Sequence, residues 1–317
     1  MKPQAGPVPL IIETDMFSDV DDVGALALAH ALVDDGLAEI RAIGVNTPSR
    51  WGVGAVRAVN DHRGHPYIPV GALLPQSDEV FERDYARGLT RQFGSDRSTE
   101  PDDTAVRVLR RALVGVAGRR AVIVSIGFFD NLVALLRSEG DDISPLSGIL
   151  LVREHVRHAV VMGGQFPSGT EFNFAADARA TQAFLAEWPL PVLLVGFEVG
   201  HDVLTGAELT LRDTADDPVA VAYRSYNGPG RARPSWDLLA VAIAVSGTGE
   251  HFELSSPGTV EVDAHGCSSW HPGIGRAHRF VRRTSAATTV ATSLDKYLSR
   301  QLKVVDENRG CPGSRGF

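Results

Sequence analysis

The chain has 317 residues, 39 of them acidic and 31 basic, so its formal net charge is −8. An acidic chain lacks the basic face that binds phosphate backbones, which argues against nucleic acid as the main partner. With 44% hydrophobic and 22% charged residues, it has the composition of a globular protein. The chain is long enough to bury a large core, so it needs no disulfide or metal to fold.

The sequence has neither a membrane-spanning segment nor a signal-peptide core. A span needs roughly 18 consecutive apolar residues, and no such run occurs. Near the start, the apolar run Leu10–Ile12 ends at Glu13, too soon for a signal peptide. The two cysteines, Cys267 and Cys311, have no metal-binding spacing and form no disulfide framework. We therefore expect a reduced, cytoplasmic protein with no membrane partner.

Short apolar segments alternate with helical patterns along most of the chain. The predicted strands are Val8–Ile12, Ile40–Val45, Ala121–Ile126, Ala159–Met162 and Val192–Val195, and the predicted helices are Val23–Val33, Val53–His62, Leu132–Arg137 and Ala178–Glu187. Strands without polar alternation are buried on both faces, as in parallel sheets covered by helices. The pattern predicts an α/β fold with a mostly parallel open sheet flanked by helices.

Two turn-rich segments and a mixed C-terminal region complete the organisation. Glycines and prolines collect in residues 163–173 and 225–235, which predicts mobile surface loops. Beyond Ser246 a β-like piece, Gly258–Val262, precedes a final helix near Ser293–Leu302, which predicts a C-terminal elaboration. We expect one domain over residues 1–309 and a disordered tail over residues 310–317.

An acidic segment, residues 13–22, directly follows the first predicted strand. Its five carboxylates are Glu13, Asp15, Asp19, Asp21 and Asp22. Ligands of parallel α/β sheets bind outside the carboxyl ends of the strands. Clustered carboxylates raise one another's pKa, and a divalent cation relieves that repulsion. Because the ligands are all oxygens, they favour Ca²⁺ or Mg²⁺ over Zn²⁺.

The acidic segment is also compatible with a solvated turn whose Asp21 and Asp22 stabilise the first turn of the next helix. Two further types of acidic site do not fit its residues. An EF-hand loop beginning at Asp19 needs Glu at its twelfth position, where the chain has His30. A phosphotransferase of the haloacid dehalogenase type needs an Asp nucleophile where the chain has Glu13.

Five ordered sequence blocks carry a resemblance to a known family. They are Glu13–Asp22; Asp141–Gly148 with Val160–Pro167; Glu171–Asn173 with Asp177; Gly196–Gly200 with Thr205–Gly206; and Ser235–Asp237. In order and spacing, from about residue 8 to residue 262, the chain resembles the nucleoside hydrolase family of the inosine–uridine-preferring type. It follows the branch with the longer signature D-T-D-M-G-N-D-x-D-D. The resemblance implies a nucleoside hydrolase-like fold and hydrolysis of an N-glycosidic bond.

The resemblance also implies a Ca²⁺ site. Asp15 would be both a metal ligand and the general base that deprotonates the attacking water. Asp22 and Asp237 would supply further carboxylates, and the backbone carbonyl of Ile126 would complete the protein ligands. A bound cation lowers the pKa of its water, so a modest base suffices near neutral pH.

A ribose-binding set follows from the same resemblance. The implied substrate-binding residues are Asp21, Asn46, Met162, Glu171, Asn173 and Trp236. Asp21 and Asn173 would hold the 2′- and 3′-hydroxyls, and Glu171 would reach toward the 5′-hydroxyl. Asn46 is a looser candidate for a ribose contact, and Asp19 has no assigned role. Cleavage builds positive charge on the ribose, which a carboxylate-lined pocket stabilises.

The chain departs from the family pattern at residues close to the expected pocket. Glu13 replaces an Asp that supports the metal ligands from behind, which predicts a slightly shifted site. Phe17 and Ser18 replace Gly-Asn, so we expect the aromatic ring to fill part of the pocket. Residues 128–130, Phe-Phe-Asp, replace P-L-T, which is compatible with core packing of the phenylalanines or with stacking on a leaving base.

The residue that protonates the leaving base is not identified by the sequence. Trp236 stands where many members of the family carry a His, as is usual in this branch. His201 and His271 are candidates by residue type alone. A member of this branch could instead use a base that departs without prior protonation.

These features predict a calcium-dependent nucleoside N-ribohydrolase of purine or pyrimidine salvage. Its partner would be a small nucleoside or N-riboside, and the family suggests a homodimer or homotetramer. Two alternatives stay open on the same fold. One is a non-catalytic ribosyl-binding protein, and the other is a related N-glycosyl transferase or lyase.

Overall fold

The computed structural model describes residues 6–94, 98–116, 118–212, 215–273, 275 and 277–300. Its strands are β1 Val8–Thr14, β2 Ala38–Val45, β3 Val70–Ala72, β4 Asp103–Thr104, β5 Ala121–Ile126, β6 Val156–Met162, β7 Ser168–Thr170, β8 Val192–Val195, β9 Leu204–Thr205, β10 Arg233–Pro234, β11 Phe252–Leu254, β12 Gly258–Val262, β13 Cys267–Pro272 and β14 His278–Arg283. Its helices are α1 Asp21–Asp34, α2 Arg50–His62, α3 Tyr85–Phe93, α4 Ala105–Val114, α5 Asp130–Arg137, α6 Gly148–His155, α7 Phe172–Ala176, α8 Ala178–Glu187, α9 Phe197–Gly200, α10 Ala207–Leu211, α11 Pro218–Asn227, α12 Trp236–Ser246 and α13 Ala287–Leu298.

Twelve of these strands form one large sheet. Its order is β4-β3-β2-β1-β5-β6-β8-β14-β12-β13-β7, with β11 paired to β14. From β4 to β14 all neighbours are parallel, whereas β12, β13, β7 and β11 join antiparallel. The predicted α/β class with a mostly parallel sheet and a C-terminal elaboration is confirmed.

The central strand β1 is buried along its whole length. Side chains of Leu10 and Ile12 belong to the core on one face of the sheet, and Ile11 belongs to the core on the other face. Successive side chains of a strand point to opposite faces, so a strand covered on both sides needs apolar residues at every position. This explains the continuous apolar runs of the sequence.

Helices α1 and α12 pack against each other on one face of the sheet. Both are mostly apolar, and most of their residues are buried. Gly24 allows close packing here, because a Cβ at this position would lie 2.9 Å from Cδ1 of Leu238. Asp21 is the first residue of α1, and Asp237 is the second residue of α12. The packing of α1 on α12 therefore brings Asp21 close to Asp237, although the two residues are far apart in the sequence.

Several sequence expectations on individual elements need correction. The turn-rich segment 163–173 contains β7 and the start of α7, and the segment 225–235 contains the end of α11 and β10. These segments are therefore partly ordered by secondary structure and are not simple surface loops. The last helix begins at Ala287, earlier than Ser293.

Some expectations concern residues outside the described part of the chain. They include the tail 310–317, Cys311, the domain boundary at residue 309 and the last two residues of the predicted final helix. The single-domain assignment stays a prediction. No helix among the described residues is both long and apolar enough to cross a membrane.

Candidate active site

A cavity of about 350 Å³ opens at the carboxyl ends of β1, β5 and β6. Its lining residues are Asp15, Ser18, Asp19, Asp21, Asp22, Phe81, Ile126, Met162, Thr170, Glu171, Phe172, Asn173, Phe197, Tyr226, Arg233, Trp236 and Asp237. Ligands of open parallel sheets bind at this edge. The acidic segment, the implied carbonyl of Ile126 and the distant Asp237 therefore meet in one place.

Local hydrogen bonds orient the carboxylates of the acidic segment. The hydroxyl of Ser18 donates to Oδ2 of Asp15, and the hydroxyl of Thr14 donates to Oδ1 of Asp22. Thr14 also accepts from the amide of Met16 at 3.0 Å, which closes the turn after β1. The second oxygen of Asp22, Oδ2, is buried and has no hydrogen-bond partner among the described residues. That oxygen is free to bind a ligand of positive charge.

Asp237 joins this group of carboxylates from the other end of the chain. Its backbone amide donates to Oδ2 of Asp21 at 3.1 Å. Burial raises the pKa of Asp237, and the neighbouring charges of Asp21, Asp22 and Asp15 raise it further. Burial likewise raises the pKa of Asp22, followed by the charge of Asp15. These carboxylates are close enough to repel one another, which a bound cation would relieve.

The four implied metal ligands suit a hard cation by their chemistry. Asp15, Asp22, Asp237 and the residue Ile126 all line the cavity, and each would offer oxygen. Oδ2 of Asp22 has no partner among the described residues. Within the described ranges, however, no three acidic, His or Cys side chains are spaced to hold a metal as they stand. By residue type the oxygen donors suit a hard cation, and hydroxyl groups occupy one oxygen each of Asp15 and Asp22.

Another part of the cavity wall is built around Glu171. Its carboxylate accepts hydrogen bonds from the backbone amides of Gly164 at 2.9 Å, Asn173 at 2.8 Å and Phe174 at 3.1 Å. Burial raises the pKa of Glu171 to about 7, and these donors oppose the shift. The side-chain amide of Asn173 donates to Sδ of Met162 at 3.2 Å. Met162, Glu171 and Asn173, three of the predicted substrate-binding residues, all line the cavity.

Glu13 has a longer side chain than the Asp of the family signature, and it lies outside the lining of the cavity. Its Oε2 accepts from Nδ2 of Asn131 at 2.9 Å and from Nδ2 of Asn46 at 3.4 Å. Gly44 is its partner on β2, and a Cβ at position 44 would overlap Oε1 of Glu13. Oδ1 of Asn46 accepts from the amide of Phe128 at 3.1 Å. Asn46 is thus used within this network and is not among the cavity-lining residues.

The unusual phenylalanines contribute less to the cavity than expected. The ring of Phe17 is buried and packs edge-on against Phe81, with ring centroids 5.8 Å apart. It lies behind the cavity wall, so the expectation that it fills the pocket is wrong. Phe129 stacks on Phe184 in the core at 4.7 Å, in agreement with core packing of this residue. Phe128 is half-buried and does not line the cavity either.

Neither histidine proposed as the acid for the leaving base lines the cavity, although His201 stacks on the lining residue Phe197. His201 is exposed and stacks on Phe197, with ring centroids 5.6 Å apart. His271 is exposed on β13, with Nε2 3.3 Å from a carboxylate oxygen of Glu261. The indole N–H of Trp236 donates to the backbone carbonyl of Phe197 at 2.8 Å. In the described part of the chain, no His lines the cavity.

Sequence reasoning missed several residues of the cavity wall. They are Ser18, Phe81, Thr170, Phe172, Phe197, Tyr226 and Arg233. Arg233 is the most informative, since it forms a bidentate ion pair with Asp19. A basic residue just before the late S-W-D block was a usable signal. Phe172 and Phe197 lie within two of the ordered sequence blocks, so their positions were available from the sequence. Phe81 and Tyr226 come from segments with no motif, so only the fold identifies them.

Comparison with known proteins identifies a family over most of the chain. A sequence model described as inosine-uridine preferring nucleoside hydrolase matches residues 10–301. No curated protein sequence is significantly similar to the chain.

Solved structures share the fold at low sequence identity. A plant nucleoside hydrolase, PpNRh1, aligns with a TM-score of 0.71 and 19% identity, covering 93% of this chain and 100% of its own. An inosine-uridine preferring nucleoside hydrolase from Bacillus anthracis aligns with a TM-score of 0.66 and 16% identity, covering 92% and 99%. The type III effector XopQ, complexed with adenosine diphosphate ribose, aligns with a TM-score of 0.68 and 15% identity, covering 93% of each chain. At these identities the structural likeness establishes the fold alone.

Proposed function

Because the chain belongs to the inosine-uridine preferring nucleoside hydrolase family, we propose that it is a calcium-dependent N-ribohydrolase. The substrate is a ribonucleoside or a related N-riboside, cleaved between the ribose and the base. The proposal depends above all on one observation, the 3.1 Å hydrogen bond between the amide of Asp237 and Asp21. It brings a carboxylate from the last third of the chain to the acidic segment.

The carboxylates of Asp15, Asp22 and Asp237 would hold Ca²⁺, together with the carbonyl of Ile126. A bound Ca²⁺ would bind a water molecule and lower its pKa. Three carboxylates and one Ca²⁺ leave a net charge of −1. The site therefore stays favourable for a substrate that becomes positively charged.

Asp15 acts as the general base. Its Oδ2 accepts from Ser18, which holds the carboxylate in place and leaves Oδ1 to take a proton from the attacking water. Asp21 and Asn173, which both line the cavity, hold the 2′- and 3′-hydroxyls of the ribose, so that the water meets the anomeric carbon in line with the leaving base. The surrounding carboxylates stabilise the positive charge that develops on the ribose ring.

The leaving base departs against a wall of aromatic rings. Trp236, Tyr226 and Phe81 all line the cavity, and aromatic faces bind flat heterocycles well. Since no His lines the cavity among the described residues, we favour a substrate whose base leaves without protonation by an imidazole.

A direct assay tests this function. The protein is incubated with a panel of ribonucleosides in Ca²⁺ and in chelator, and free ribose is measured. We expect turnover in Ca²⁺ alone, and a loss of about 10²-fold or more in the Asp15→Asn variant, as for removal of a general base. The control Asp61→Asn changes an exposed residue of α2 and should retain full activity. The proposal fails if no N-riboside is cleaved by the calcium-loaded protein.

The second candidate is a ribosyl-binding protein without turnover. It is favoured by the absence of His among the described lining residues and by the fold shared with XopQ, an effector complexed with adenosine diphosphate ribose. Calorimetry with a nucleoside and with adenosine diphosphate ribose distinguishes the two. Binding without release of ribose supports this candidate, whereas release of ribose excludes it.

A further inference from the structure

Asp19 and Arg233 form a bidentate ion pair at the wall of the cavity. Nε of Arg233 donates to Oδ1 of Asp19 at 2.9 Å, and a terminal nitrogen donates to Oδ2. The guanidinium lies over two aromatic rings, 5.1 Å from the centroid of Tyr226 and 5.5 Å from that of Trp236. Its position is therefore defined from three sides.

Asp19 itself is anchored independently of Arg233. Its Oδ1 accepts from the amide of Val20 at 2.6 Å, and its backbone carbonyl accepts from the hydroxyl of Tyr85. Because these contacts belong to the start of α1 and to α3, the carboxylate stays in place when the guanidinium moves. Asp19 is thus a fixed acceptor, and Arg233 is the partner that it captures.

The charge balance of the cavity gives this pair its significance. The lining carboxylates are Asp15, Asp19, Asp21, Asp22, Glu171 and Asp237. Arg233 is the single Lys or Arg among the lining residues of the described chain. Asp19 is the carboxylate that pairs with it, and among the described residues Arg233 forms no ion pair with the other five.

Asp21 lines the same cavity as Arg233, and its Oδ2 accepts from the amide of Asp237 at 3.1 Å, just after Arg233 in the chain. Burial and the charge of Asp19 raise the pKa of Asp21, and the charge of Arg233 opposes that shift. Because both side chains line one cavity, a charge interaction between them agrees with this shift. A guanidinium released by Asp19 would pair with Asp21, the residue next to the metal ligand Asp22.

We propose that Asp19 is a positioning residue that holds Arg233 away from Asp21 and the metal-binding carboxylates. This inference rests on the proposed function, because it concerns the carboxylates that would bind Ca²⁺ and ribose. Asp19, which had no assigned role in the longer signature, thereby gains a specific one. It keeps Arg233, the cationic side chain among the described lining residues, from neutralising the other carboxylates.

Calorimetric titration with Ca²⁺ tests the inference through a double-mutant cycle. The proteins are the wild type, Asp19→Asn, Arg233→Gln and the variant with both changes. We expect Asp19→Asn to weaken Ca²⁺ binding about tenfold, since an unpaired positive charge then lies among the metal ligands. Arg233→Gln in the same chain should restore the affinity to within about threefold of the wild type, because the interfering charge is gone.

A purely structural clamp gives the opposite pattern. If the pair only ties two segments together, removing the second partner restores nothing, and the double variant binds Ca²⁺ as poorly as Asp19→Asn. That result overturns the inference, as does wild-type affinity in Asp19→Asn. The matched control is Asp142→Asn, which breaks another bidentate pair, with Arg107, outside the cavity. It should bind Ca²⁺ like the wild type.

A metal-free measurement separates this inference from the proposed function. If the wild type neither binds Ca²⁺ nor cleaves an N-riboside, the proposed function fails. The crystal structure of Asp19→Asn then decides the inference alone. Contact between the guanidinium of Arg233 and Asp21 supports it, whereas a guanidinium that keeps its place over Tyr226 and Trp236 overturns it.

Discussion

The backbone amide of Asp237 donates to Oδ2 of Asp21 across a separation of 216 residues. The two residues begin neighbouring helices, α12 and α1, which pack against each other on one face of the sheet. Carboxylates near helix N-termini are stabilised by the helix dipoles. Even so, mutual repulsion among this many buried carboxylates lowers the stability of the metal-free protein.

The change Asp237→Asn should stabilise the metal-free protein and abolish its response to Ca²⁺. Asparagine keeps the backbone hydrogen bond to Asp21 but removes one of several mutually repelling charges. A ligand at about 100 times its Kd stabilises a protein by about 2.7 kcal/mol, which the variant should lose. Thermal unfolding in chelator and in Ca²⁺ measures both effects, with Asp61→Asn as the control. An equal Ca²⁺ response in variant and wild type would contradict the metal assignment.

The change Gly44→Ala should destabilise the protein through Glu13. A methyl group at position 44 would overlap Oε1 of this buried carboxylate, and overpacking of this kind costs about 1–3 kcal/mol. The shorter side chain of Glu13→Asp should recover most of the loss in the double variant. Urea unfolding gives the free energies.

The matched control for Gly44→Ala is Gly88→Ala. A Cβ there meets nothing within 4 Å, and Gly88 lies within α3, where alanine is the better helix former. We expect no loss of stability. If the double variant with Glu13→Asp is as unstable as Gly44→Ala, the steric explanation is wrong.

Acid should destabilise the fold partly through His30. Its Nε2 lies 2.8 Å from Oδ1 of Asn60, and burial lowers its pKa from 6.5 to about 3. The unfolded chain therefore binds this proton first. The neutral buried ring contributes to the free energy of unfolding. This contribution is fully present above pH 6.5 and is lost as the pH falls toward 3, by up to about 4 kcal/mol.

The variant His30→Gln should flatten this part of the pH profile. Urea unfolding between pH 7 and pH 4 compares its slope with that of the wild type, and His271→Gln, at an exposed position, serves as the control. An unchanged slope in His30→Gln would mean that other groups cause the loss in acid.

The change Asn173→Ala should weaken substrate use without weakening Ca²⁺ binding. Its amide lies beside Met162 in the cavity wall and carries no charge. Loss of a hydrogen bond to a ribose hydroxyl should lower kcat/KM about tenfold or more. Steady-state kinetics and calorimetry with Ca²⁺ measure the two properties separately. A parallel loss of metal affinity would place Asn173 among groups that support the metal.

Features that depend on residues close together in the sequence were predictable from it. The apolar runs of β1, β2 and β5 predicted a parallel sheet, because a strand buried on both faces allows few polar residues. The ordered blocks identified the family, and the carboxylates of the acidic segment follow β1 directly. The ends of helices and strands were harder to predict, as the start of α13 at Ala287 instead of near Ser293 illustrates.

What the tertiary structure alone decided is how distant side chains meet. Asn46 follows β2 as a ribose contact would, yet its amide is used by Glu13 and Phe128 behind the cavity. Arg233 reaches Asp19 because α12 packs on α1, and a bidentate contact between residues so far apart in sequence has no local pattern. The sequence by itself determined the sheet, the family and the chemistry of the carboxylates. Which of those charges are paired depends on helix packing, since it sets the distances between them.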